Sequence, residues 1–166
     1  MIDPTADLPA WVRAVHEWPL SAAVRESEWI FPILQTLHIF GLVLLVGVIA
    51  IVDLRLLGIV LREQAPERFA RAVLPITHAG FGLVLASGVL LLAAQSGSLY
   101  FNVFLRIKLV LLGLALANVA LFHFTVFRGA SAWGSARVPR AAAVFAGASL
   151  FFWAGVVVTG RYIAYF

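Results

Sequence analysis

The chain has 166 residues, of which 63% are hydrophobic and 12% charged, with a mean hydropathy of +1.00 and a formal net charge of +4. Soluble domains average about 45–50% apolar and about 25% charged residues, so an ordinary soluble domain is excluded and one integral membrane domain is expected. Cysteine is absent, which excludes disulfides, thiolate metal sites, iron–sulfur clusters and covalently attached c-type haem.

Residues 1–28, MIDPTADLPAWVRAVHEWPLSAAVRESE, lack the basic start and apolar run of a secretory signal. Leu8, Trp11, Val12, Val15 and Trp18 recur at helical spacing until Pro19. An amphipathic helix lying in the membrane interface is expected, with Trp11 and Trp18 at headgroup depth and Ser21 as the N-cap after a turn. Residues 29–166 then form the membrane domain. Its first span, 29–52, carries no charge and is long enough to cross a hydrocarbon core of about 30 Å. Pro32 falls in the first turn, where early N–H groups have no intrahelical partner.

A charged stretch follows, with Asp53, Arg55, Arg62, Glu63, Glu67, Arg68 and Arg71, and Pro66 as punctuation. The second span is expected over residues 72–94 and the third over 101–127, joined by a tight turn at SGSLYFN. The polar connection RGASAWGSARVPR leads to the fourth span, 141–159. The fold class is therefore all-α: a four-helix transmembrane bundle with an N-terminal interfacial amphipathic helix. Seven of the twelve basic residues (Arg55, Arg62, Arg68, Arg71, Arg128, Arg137 and Arg140) lie in the connections after spans one and three. Positive-inside bias puts those connections in the cytoplasm and both termini outside, periplasmic in a bacterial inner membrane. The lipid bilayer is the expected partner, and nucleic acid is not.

Three histidines lie within spans, and ionisable groups at such depth are site candidates. His38 is roughly 15 Å below the outer boundary, at about 1.5 Å per residue. His78 and His123 lie roughly 8–10 Å inside the cytoplasmic boundary. Spans two and three are expected to be adjacent and antiparallel, so these two imidazoles arrive level and can hold haem b by two axial bonds. Gly80, Gly82 and Ala120 would let a macrocycle approach the backbone, and Pro75 frees a carbonyl that can orient His78. Arg106, Lys108 and Arg161 mark the outer ends of spans three and four. Near His38 they suit an anion: a haem propionate, a quinone oxygen or a lipid phosphate.

Plainer readings stand beside these. A membrane histidine also serves as interhelical glue, and His78 and His123 can be packed core groups. Lys108 can snorkel to the headgroups, Asp53 and Arg55 can join a structural ion-pair network, and glycines 41, 47, 80, 82, 113, 147 and 155 can mark helix contacts. Metal binding by three imidazoles at unlike depths makes a poor closed site. Hydrolysis is disfavoured, since no nucleophile motif and no paired membrane carboxylates occur.

The strings WIFPILQTLHIFGLVLLVGVIAIVDLRLLG, NVFLRIKLVLLGLALANVALFH and GRYIAYF, with polar positions His38, Asp53, Arg55, Lys108, Asn118, His123 and Arg161, resemble an uncharacterised family of small four-helix bacterial inner-membrane proteins. More distantly, the arrangement is similar to four-helix transmembrane cytochromes b. That resemblance implies haem held between histidines of neighbouring helices and electron exchange with quinones or small oxidants. The chain departs from them in having three membrane histidines instead of four paired ones. The expected function is a b-type haem protein for electron transfer, with His78 and His123 as axial ligands and His38 lining a second haem or a quinone site. The alternative is a non-redox accessory subunit or small carrier using His38, Asp53 and Asn118 as polar stations.

Overall fold

A computed structural model describes residues 7–64, 66–128 and 138–165. Most of the connection before the last helix, including Arg137, lies outside the described residues. Every regular element among them is a helix: α1 (Ala10–Glu17), α2 (Pro19–Glu26), α3 (Ile30–Leu56), α4 (Pro66–Ala94), α5 (Ser96–Leu99), α6 (Val103–Thr125) and α7 (Arg140–Tyr162). Four of them, α3, α4, α6 and α7, are long and apolar enough to cross a membrane. Their surfaces are covered by exposed Leu, Ile, Val and Phe, among them Ile39, Phe40, Val43, Leu85, Val110, Phe124, Val144 and Phe151. In water such a surface would aggregate; in lipid it is solvated.

The ends of these helices are set by local chemistry. Ser27 Oγ accepts the N–H groups of Trp29 and Ile30 at 3.3 and 3.1 Å, satisfying donors at the start of α3. At its other end Gly58 takes φ +71°, while Gly58 N–H bonds Arg55 O at 3.0 Å and Ile59 N–H bonds Leu54 O at 2.9 Å. That is the Schellman arrangement, in which glycine turns the chain out of the helix. Arg55, 2% exposed, folds back to donate to Arg62 O and Gln64 O, so its guanidinium closes the α3–α4 turn. Asn102 Oδ1 caps α6 by accepting from Leu105 N–H at 3.1 Å.

α3 packs on α4 and on α7, and α6 packs on α7. α4 and α6, expected to be neighbours, have at most marginal contact. The difference follows from where small residues face a partner. A Cβ on Gly80 would sit 2.8 Å from Leu45 N and 3.2 Å from Gly41 O, and one on Gly41 would sit 3.0 Å from Val84 N. The α3 and α4 backbones therefore touch through glycine on both sides. Gly155 of α7 instead receives the Leu111 side chain of α6, whose Cδ1 would lie 2.9 Å from a Cβ there. Gly82 and Gly113, by contrast, have nothing within 4 Å, and neither do Gly47 and Gly147.

The N-terminal segment differs from the single interfacial helix expected. It is two short helices broken at Trp18, with Pro19 opening the second. Both pack on the α4–α5 end of the bundle, burying Leu8, Val12 and Val24 while Trp11 and Trp18 stay exposed. Ser21 is no cap: it lies inside α2, buried, with Oγ unpartnered. Proline at N1 has replaced it as the start signal.

Candidate functional site

The glycine contact between α3 and α4 fixes an antiparallel register in which His38 meets Ser87 and Gly88. His38 Nδ1 lies 3.0 Å from Ser87 Oγ, and a Cβ on Gly88 would stand 3.0 Å from His38 Cε1. Ser87 is 3% exposed, and its hydroxyl donates to Leu83 O at 2.5 Å. A serine has one hydroxyl proton, so with that proton committed to Leu83 the Ser87 oxygen accepts, and His38 Nδ1 carries the hydrogen. The Nε2 lone pair is then free. This is the way metal-ligating and base-acting imidazoles are oriented by a neighbour.

Lys108 of α6 completes the cluster. Its ammonium is near enough to act electrostatically on His38, and Nζ rests beside Gly160 of α7, where a Cβ would come within 3.3 Å. Two close pairs thus draw on all four long helices: His38 against Ser87 and Gly88, and Lys108 against Gly160, each glycine leaving room for its partner side chain. Both His38 and Lys108 are half-buried. The site offers one imidazole lone pair and one cation within an apolar surround, which suits a ligand with an electron-accepting centre and a negative or carbonyl oxygen.

The remaining expected site residues are elsewhere. Arg106 is exposed and donates to Tyr100 O at 3.2 Å. Arg161 is exposed, bonded to Tyr165 Oη at 2.5 Å and lying over that ring; both arginines sit beside aromatic residues at the helix ends, away from His38 Nδ1 and Ser87. His78 is exposed on α4 and makes no side-chain hydrogen bond among the described residues, so the carbonyl freed by Pro75 does not orient it. His123 is exposed on α6, with Nδ1 3.1 Å from Val119 O of its own helix and its ring beside Phe122 and Phe127. The structure brings no contact between the two, because their helices scarcely meet. Gly80, expected to clear space beside His78, is filled by the α3 backbone. No group of three His, Asp or Glu side chains suited to a metal occurs among the described residues.

Ser87, Gly88 and Gly160 carried no weight in the sequence reading. The available signal was a Ser-Gly pair at mid-helix in an apolar span, which in lipid marks a face that another helix or a polar group covers.

The fold defines a small multi-pass membrane protein, with His38 and Lys108 as candidate site residues between its helices. The chain belongs to a family of unknown function (DUF6644), whose model matches residues 29–166. No curated protein and no solved structure matches it. The match begins at Trp29, where the two N-terminal helices end and the membrane domain starts.

Proposed function

We propose that the chain is an integral membrane b-type haem protein that transfers electrons and exchanges them with a quinone or another small oxidant, with His38 and Lys108 as its ligand site. The observation that supports this reading is the Nε2 lone pair of His38, freed by the Ser87 bond. If haem b binds here, His38 would hold the iron through Nε2 and Lys108 would offer a cation to a carboxylate of the group, while Gly88 leaves room for the imidazole itself. When bound, haem supplies a one-electron couple at iron. The chain's own part is to hold the imidazole tautomer through Ser87, to neutralise a carboxylate or polarise a quinone oxygen through Lys108, and to exclude water with the apolar helix faces. His78 and His123 fit an axial pair less well, being exposed on helices with at most marginal contact. The reading includes a bacterial inner membrane with both termini periplasmic; a reporter fused after Phe166 that works only in the cytoplasm would overturn that orientation.

The test is a reduced-minus-oxidised absorption spectrum of protein purified from haem-replete cells. A Soret band is expected that is lost in His38→Ala and retained in His78→Ala and His123→Ala. A colourless protein, or a band that survives His38→Ala, rejects the proposal. The second reading is a non-redox accessory subunit or small carrier. It is favoured by His123, whose Nδ1 is satisfied within its own helix as a structural histidine would be, and it predicts colourless protein that co-purifies with a partner.

A further inference from the structure

A second polar layer crosses the bundle toward its other end, and nothing in the haem reading uses it. Asp53 on α3 is 6% exposed, Ser149 on α7 is 3% exposed and Asn118 on α6 is 9% exposed. They sit between, or at the edge of, two apolar clusters. One is built on Leu45, Ala115, Trp153 and Val156, with Ile49 against it; the other is built on Leu56, Phe122, Ala142 and Ala146, with Val52 against it. Asn118 lies between Ala115 and Phe122 and Ser149 between Ala146 and Trp153, one from each cluster, while Asp53 lies at the edge of the second cluster, between Val52 and Leu56. Asn118 Nδ2 donates to Phe145 O at 3.1 Å and ties α6 to α7 at this level.

Asp53 faces Ser149, yet Asp53 Oδ2 and Ser149 Oγ, both buried, have no hydrogen-bond partner of normal geometry. Nor does a cation pair with Asp53 among the described residues. Arg55, two residues on, is turned into the α3–α4 turn carbonyls. On the surrounding helices Arg71 and His78 of α4, His123 of α6 and Arg140 of α7 are exposed. A carboxylate removed from water without a partner is strongly disfavoured, and the ordinary remedies are a bound cation or a proton.

We infer that Asp53 and Ser149 form a binding site for a monovalent cation, a sodium ion or a proton, within the α3–α7 contact. Asp53 is three residues, or about 4–5 Å, from the end of α3. When the proton is the ligand, it passes from water to the free carboxylate oxygen Oδ2 and leaves the side chain neutral. When sodium is the ligand, Oδ2 and Ser149 Oγ are two of its oxygens.

The experiment uses full-length protein in detergent and follows the thermal unfolding midpoint, which does not depend on haem absorption. Sodium chloride replaces choline chloride at constant ionic strength, and a pH series is run without sodium. The wild-type midpoint is expected to rise with sodium, identifying the ion, or to rise only with falling pH, identifying the proton. Asp53→Asn, neutral and of the same shape, is expected to lose that response, with the titration of exposed histidines left as the common background. Ser149→Ala is expected to weaken the response tenfold or more in midpoint concentration. Infrared spectra of the wild type in H2O and D2O give a reading independent of any variant, since a protonated buried carboxyl has its own C=O band. Equal responses of wild type and Asp53→Asn overturn the inference, as does wild-type protein with neither a sodium response nor a protonated carboxyl band.

Discussion

His38 Nδ1 and Ser87 Oγ meet at 3.0 Å across the α3–α4 contact, and the Ser87 hydroxyl is already committed to Leu83 O. The ring is therefore the donor in this bond. Ser87→Ala removes the acceptor and frees the ring to change tautomer and rotate. Loss of such an orienting partner typically weakens a histidine-held ligand about 10–100-fold. Under the proposed haem reading, affinity measured by haem titration should fall by that order in Ser87→Ala and recover in Ser87→Thr, which restores the hydroxyl. Equal affinity in all three would show that Ser87 does not orient His38.

Lys108 and Gly160 make a second pair with separable effects. Lys108→Met keeps the stem that packs beside Gly160 and removes the charge. The fold should persist, with an unchanged unfolding midpoint, while binding of an anionic or quinone-like ligand weakens. Hydrogen bonds to charged groups contribute about 1.5–3 kcal/mol, so the expected loss is roughly 10–150-fold. An analogue series makes this specific: esterified porphyrin, lacking carboxylates, should bind wild type and Lys108→Met alike.

The glycines give a paired prediction. A Cβ at Gly80 would press on Leu45 N, a backbone atom that cannot move aside, whereas Gly82 faces open space. Gly80→Ala should destabilise the α3–α4 contact by about 1–3 kcal/mol, the usual cost of overpacking. Gly82→Ala should be neutral or slightly stabilising, since alanine is the better helix former by about 1 kcal/mol. Unfolding of the two variants in a denaturing detergent series would separate them. Because Gly80 sets the register that brings Ser87 to His38, Gly80→Ala should also lower ligand affinity.

These pairs show what could be read from the chain and what could not. The four spans follow from composition and length alone, because lipid demands runs of about 20 apolar residues, and the observed helices differ mainly in α4 starting earlier, at Pro66, and in α3 and α7 ending later, at Leu56 and Tyr162. His38 and Lys108 stood out as ionisable groups in apolar surroundings. Helix adjacency was not legible. Level depth made His78 and His123 look like a pair, but depth fixes only one coordinate; which helices touch depends on which glycines face a partner, and Gly41, Gly80 and Gly155 do while Gly82 and Gly113 do not. Ser149 stayed unseen for a similar reason: it gains meaning only when α7 is laid against Asp53 on α3.

At the α4–α5 end, Arg25 joins the N-terminal helices to the bundle. Its guanidinium donates to His16 O at 3.1 Å and to Ala94 O at 3.2 Å. The first bond ties α1 to α2; the second reaches the last residue of α4, where carbonyls lack intrahelical partners and the helix dipole favours a cation. His16 adds a close fit against Gly97 of α5. Arg25→Ala removes both bonds, and since the side chain remains partly exposed the cost should be about 1 kcal/mol, below the usual range for charged hydrogen bonds. That is too little to unfold four apolar helices, but enough to raise the population in which α1 and α2 detach. Limited proteolysis should therefore cleave within residues 10–28 several-fold faster in Arg25→Ala than in wild type, with the His38 site unaffected. Gly97→Val should act in the same direction by displacing His16, and equal cleavage rates in all three proteins would mean that another contact holds the two helices down.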